Sequence, residues 1–200
     1  MTGSVGDERG FERSAGYAAI ASGIAGIAYA IAFVVLKNAM LSGLFLLLAP
    51  LLSTFVLVAL YGRLRAVDPG LALWVFVIGL AGAIGASVHG AYDLAIGFHP
   101  PAGTSDLPNA VDPRGLMTFG ASGLALLGAS PLLRRAGEFP TWTPIAALVL
   151  GAVLVATYLA RLIVLDATSP IVLGLALAAG VLSPLVYLGL GAWFLRARSI

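Results

Sequence analysis

No cysteine occurs anywhere in the 200 residues. Its absence removes disulfide exchange, thiolate metal ligation and thiol-linked quinone chemistry from the functions open to the chain. Charge is scarce as well: 10% of residues are charged and 60% are hydrophobic, too little polar surface to coat a soluble globule of this size. Lysine occurs once, at Lys37, beside ten arginines, so no apolar segment carries a lysine for a retinal Schiff base. Histidine occurs only at His89 and His99. Two histidines from one region do not furnish the three or four ligands zinc usually takes, nor the opposed pair that bis-histidine haem needs. No metal or cofactor is therefore expected, and no nucleic-acid partner.

What the chain has is apolar length. Six segments, at about residues 16–36, 41–62, 70–98, 114–133, 143–165 and 170–195, are each long enough for a hydrocarbon core of about 30 Å. Backbone groups facing lipid must bond within their own segment, and these runs do not alternate as barrel strands do, so they are expected to be helices. The fold class that follows is an all-α bundle of six transmembrane helices over residues 16–196, preceded by a short cytoplasmic tail at 1–15. That tail carries mixed charges, and the first apolar run is longer than a signal-peptide core, so an uncleaved first helix is expected.

Local chemistry places the boundaries. Asp68-Pro69, Asp112-Pro113 and Ser169-Pro170 each offer a capping side chain followed by proline at the first helical position. Pro50 and Pro184 fall inside spans, where each frees a carbonyl and bends its helix. Arg9, Arg13, Arg63, Arg65, Arg134, Arg135, Arg196 and Arg198 lie on one side of an alternating path, with Lys37, Arg114 and Arg161 toward the other. The excess predicts both termini in the cytoplasm of a multi-pass cell-membrane protein, and Trp74, Trp142 and Trp193 fall near the inner helix ends as interfacial anchors. The arginine-rich, alanine-rich and glycine-rich composition is that of a bacterial chain from a GC-rich genome. The longest outer loop, 99–113, contains four prolines and is expected to fold stiffly over the helix ends.

Helix three is the longest and carries the most chemistry. His89 and Asp93 lie four apart on one face, continuing a ridge from Ala81 and Gly85. Gly82, Ala86 and Gly90 form a neighbouring ridge that admits a second helix closely. At 1.5 Å per residue, His89 and Asp93 sit about 28 and 35 Å along their helix and Arg161 about 26 Å along helix five. A common level at the outer edge follows, where Asp93 and Arg161 are expected to pair beside His89. Asp166, Asp112, Arg114, Asn109 and Tyr158 are candidates for the same cluster. Such a vestibule would recognise a proton, an ion or a small polar solute; the plainer reading is a set of ties between helix ends, with Arg161 snorkelling.

Gly120-Ala121-Ser122-Gly123 matches the GxSG of rhomboid-type intramembrane proteases. Their serine takes its base from a later helix, and no histidine follows His99, so Ser122 is read as close helix packing. With no complete catalytic set visible, an enzyme is not expected. Ala21-x-x-x-Ala25 and Ala28-x-x-x-Ala32 resemble the alanine-spaced contact face of vitamin-uptake substrate-binding subunits. The segments VHGAYDLA, Val88 to Ala95, and DPRGLMTFG, Asp112 to Gly120, resemble bacterial six-helix integral membrane proteins without an assigned activity. That resemblance implies the six-helix fold and no site residues. The leading expectation is a small transport or ligand-binding subunit with an outward-facing polar cluster. The second is a structural or accessory subunit that associates with its own kind or with other membrane helices.

Overall fold

In a computed structural model, which describes residues 5–99, 116–164 and 169–196, every element among the described residues is helical. The described residues form six α-helices: α1 (Val5–Ala30), α2 (Ala39–Leu64), α3 (Pro69–Phe98), α4 (Ser122–Ala136), α5 (Trp142–Val164) and α6 (Pro170–Arg196). A π-helical stretch, Ile31–Val35, continues α1, and another, Leu116–Ala121, leads into α4. All but α4 are long and apolar enough to cross a membrane, which makes this a multi-pass membrane protein. With 15 residues, α4 is about 22 Å long, and its approach to a full span depends on the π stretch before it.

Several boundaries follow from capping chemistry. The Asp68 carboxylate accepts a hydrogen bond from the Leu71 amide at 3.0 Å, and Pro69 opens α3 where a missing N–H costs nothing. Pro170 opens α6 in the same way; Asp112-Pro113 lies outside the described residues. Asn38 caps α2 by accepting from the Leu41 amide at 3.0 Å. Lys37, just before it, takes the left-handed conformation at φ 49° to turn the chain within three residues. The first helix starts earlier than its apolar run, at Val5, and the reason is tertiary: Glu12 on that polar extension has a partner on α2.

The helices form a closed ring in chain order, α1 beside α2 and so on round to α6, which packs back on α1. Glycine sets the spacing. A Cβ at Gly43 would lie 2.5 Å from the Leu94 amide nitrogen, and one at Gly90 would meet the backbone of Leu46 and Leu47, so α2 and α3 touch backbone to backbone. Gly123 and Gly151 oppose each other between α4 and α5, where a Cβ on either would lie 2.9 Å from the other's carbonyl oxygen, and a Cβ on Gly191 of α6 would lie 2.8 Å from the Gly16 carbonyl oxygen of α1. Where lipid supplies no hydrophobic drive between helices, such close approach maximises dispersion contact. The GxSG segment belongs to this packing: Gly82 meets the hydroxyl of Ser122, and Gly123 lies against Val155. Pro184 is seated against Gly26, where a Cβ would lie 3.0 Å from the proline ring. Near Pro50, the Ser22 hydroxyl donates to the Ala49 carbonyl at 2.8 Å and the Ser53 hydroxyl to the Pro50 carbonyl at 2.7 Å.

The apolar core is thickest at the arginine-rich end, around Leu64, Val75, Leu132, Leu133 and Phe139, with Val56, Leu190 and Phe194 beside it. At that end Arg63 is only 14% exposed. Its Nε and one terminal nitrogen donate to the two carboxylate oxygens of Glu12 at 2.7 and 2.8 Å, and its other terminal nitrogen donates to Glu138 at 2.6 Å. Its guanidinium lies 5.1 Å from the Trp193 ring centre, and Trp193 packs on Phe139 at 4.5 Å. Trp193 is thus a bundle contact as well as an end marker, whereas Trp74 and Trp142 are more exposed. Arg63→Ala strands two half-buried carboxylates and is expected to cost about 3–5 kcal/mol, read as a lowered Tm in detergent. Glu12→Gln, which leaves Glu138 in place, is expected to cost less. A loss under about 1 kcal/mol for Arg63→Ala would show the cluster to be ornamental surface charge.

Candidate functional site

At the opposite end the ring is lined differently. On α3, glycines 82 and 85 face the π stretch before α4, and Gly90 faces α2. His89 and Asp93, at roughly 100° per residue, fall in the arc between those two contacts, toward the interior of the ring. The pair is formed: His89 Nε2 lies 3.3 Å from an Asp93 carboxylate oxygen, with side chains 19% and 37% exposed. Nδ1 is buried and has no hydrogen-bond partner.

On α5, Arg161 stands seven residues beyond Leu154, continuing the buried face of Leu150 and Leu154. Its guanidinium lies over the Phe119 ring, 5.5 Å from the centre. Phe119 comes from the π stretch before α4, whose Met117 packs on Gly85 of α3 while Phe119 packs on the Leu150 and Leu154 cluster. Thr118 lies between them in sequence. Its hydroxyl is buried and unpartnered.

Tyr29 of α1, seven residues beyond the buried Ser22 and on the same face, is close enough to interact electrostatically with both Asp93 and Arg161, and its ring stacks on Phe33 at 5.7 Å. Neither α3 nor α5 is a ring neighbour of α1, so these interactions cross the interior. No Asp93–Arg161 ion pair forms among the described residues: Asp93 pairs with His89, and Tyr29 lies in reach of both charges. Both π stretches lie at this end of the ring, and such stretches often mark functional sites because they re-aim side chains without ending a helix.

Of the residues expected to cluster, His89, Asp93 and Arg161 share this end of the ring. Tyr158, half-buried, lies three residues before Arg161 on α5. Asp112, Arg114, Asn109 and Asp166 lie outside the described residues. Tyr29 and Thr118 were not anticipated. Tyr29 carries a faint signal, a polar-tipped aromatic on the face of Ser22; Thr118 carries none, because a π stretch shifts the register that a 3.6-residue count assumes. No protein family, curated protein or solved structure matches the chain.

If Tyr29 couples to the α3 pair across the ring, Tyr29→Phe and Asp93→Asn will be non-additive, with a coupling of about 0.5 kcal/mol or more in a thermal-unfolding cycle. Additivity within about 0.3 kcal/mol would put the Tyr29 hydroxyl outside the cluster.

Proposed function

We propose that the protein is a small transport or ligand-binding subunit of a bacterial cell membrane, whose chamber of Tyr29, His89, Asp93, Thr118 and Arg161 takes up a small polar solute. The observation that carries this reading is the pair of buried, unpartnered polar atoms, His89 Nδ1 and Thr118 Oγ1, beside charged groups from α3 and α5. A purely structural tie would satisfy its own members, since an orphaned buried acceptor costs about 1–3 kcal/mol. A ligand that completes those bonds recovers that cost.

The arginine excess at the end holding Arg63, Arg65, Arg134, Arg135 and Arg196 supports a cytoplasmic position for that end and an external one for the chamber. A tag between residues 102 and 108 is then labelled by an impermeant reagent in intact cells, while a C-terminal tag is not. The reverse pattern overturns the orientation.

The reading itself is tested by thermal unfolding of the detergent-purified protein against ions, pH and small polar solutes, since a ligand that binds the native state raises its apparent stability. A stabilising solute is expected, with its effect lost in Asp93→Asn. If no solute acts and the variant is equally destabilised under every condition, the cluster is structural. The accessory reading would then stand, supported by the exposed small-residue pair Ala176 and Gly180 on α6, with open space beside Gly180.

A further inference from the structure

At the arginine-rich end, where the last turn of α4 meets the first turn of α5, lies a groove of about 430 Å³, a volume within the range of small-molecule sites, about 300–1,000 Å³. Leu133, Phe139, Pro144 and Ile145 give it apolar walls, and Arg134 and Thr141 give it polar ones. Gly137 also lines it, ending α4 in the left-handed conformation at φ 71°. A Cβ there would meet nothing within 4 Å, so the turn leaves the groove open. The charge beside it is unbalanced. Arg135 reaches Asp68 at 3.6 Å and the Val67 carbonyl at 3.4 Å, and Glu138 is taken by Arg63 at 2.6 Å. Arg134 makes no ion pair or hydrogen bond among the described residues, and no carboxylate lines the groove.

The apolar side of the groove continues along the span. Ile145 is 63% exposed, and Leu148 and Val149, one turn further on, extend the same exposed apolar strip of α5. A cation and a hydroxyl at the helix ends thus stand over an apolar path that runs toward the middle of the membrane, the layout of an interfacial lipid site. We infer that the groove binds a single anionic phospholipid, whose phosphate meets the Arg134 guanidinium and the Thr141 hydroxyl and whose acyl chain follows Ile145 and Leu148. A guanidinium fork grips two phosphate oxygens at once. A zwitterionic lipid would bring an ammonium that no carboxylate of the groove could meet, and a soluble phosphate would leave the apolar walls uncovered. This site and the polar cluster of α3 and α5 lie at opposite ends of the ring, so the inference does not depend on the solute-binding reading.

Native mass spectrometry of the full chain in an uncharged detergent tests this, by titration with phosphatidylglycerol, with phosphatidylcholine of the same chains and with glycerol phosphate. A single phosphatidylglycerol is expected to bind, about tenfold more tightly than phosphatidylcholine, and glycerol phosphate to give no adduct. Arg134→Gln is expected to weaken phosphatidylglycerol about tenfold, and Ile145→Asn, on the apolar path, about 3- to 10-fold. Arg65→Gln removes an exposed arginine at the same end but outside the groove and is expected to change affinity less than about twofold. Both Arg134 and Ile145 are exposed, so each variant should keep the wild-type Tm in the absence of lipid. Equal losses in Arg134→Gln and Arg65→Gln would reduce the effect to a general attraction of the arginine-rich end and overturn the site. Equal binding of phosphatidylcholine overturns the anionic selectivity, and glycerol phosphate binding as tightly as the lipid, or an unchanged affinity in Ile145→Asn, overturns the acyl path. No adduct with phosphatidylglycerol overturns the inference outright.

Discussion

The guanidinium of Arg63 holds the arginine-rich end together. Its N–H donors bind carboxylates of α1 and of the turn after α4, and its flat face lies on an indole of α6. One side chain thus connects α1, α2, α4 and α6, and only arginine has the planar, multidentate geometry to do so. A half-buried charge at a membrane edge is tolerable because it is fully engaged. Its two carboxylates fix the polar extension of α1, which explains why that helix runs past its apolar segment. With this end locked and its core thick, His89, Asp93, Arg161 and Tyr29 gather at the opposite end.

The ring depends on close approach as much as on charge. Glycines at 43, 90, 123, 151 and 191 put backbone against backbone, and His89 and Asp93 lie on the arc of α3 between its contacts with α2 and with the π stretch before α4. Small-residue packing and the site are therefore one arrangement: Gly82 and Gly85 seat the π stretch before α4, and that stretch carries Thr118 and Phe119. The local departure from α-helical register aims one polar and one aromatic side chain that a regular helix would have placed elsewhere.

Apolar length, the proline-marked starts of α3 and α6, and the facing of His89 and Asp93 were legible in the sequence because each depends on local composition or on a fixed helical period. The role of Ser122 was legible for the same reason, from glycines at helix-packing spacing. Arg63 read only as a positive-inside charge, since Glu12 and Glu138 are distant in sequence and nothing local links them. Which group meets Asp93 is decided by ångströms that a helical count does not resolve: His89, one turn away on the same helix, lies 3.3 Å from its carboxylate. Tyr29 and Thr118 needed the ring order and the π register, neither of which a linear pattern encodes.

Because the helices neighbour one another in chain order, Arg63 meets its partners in the order of synthesis. Glu12 is available once α1 and α2 have been made, Glu138 only after α4, and Trp193 last of all. Each new segment of a growing membrane protein must find its place among those already inserted. Here the first hairpin carries a cation already half-satisfied, whose remaining N–H and open face stay in wait for the rest of the chain. The closing seam between α1 and α6 joins the oldest helix to the youngest, so the ring closes only with the final span.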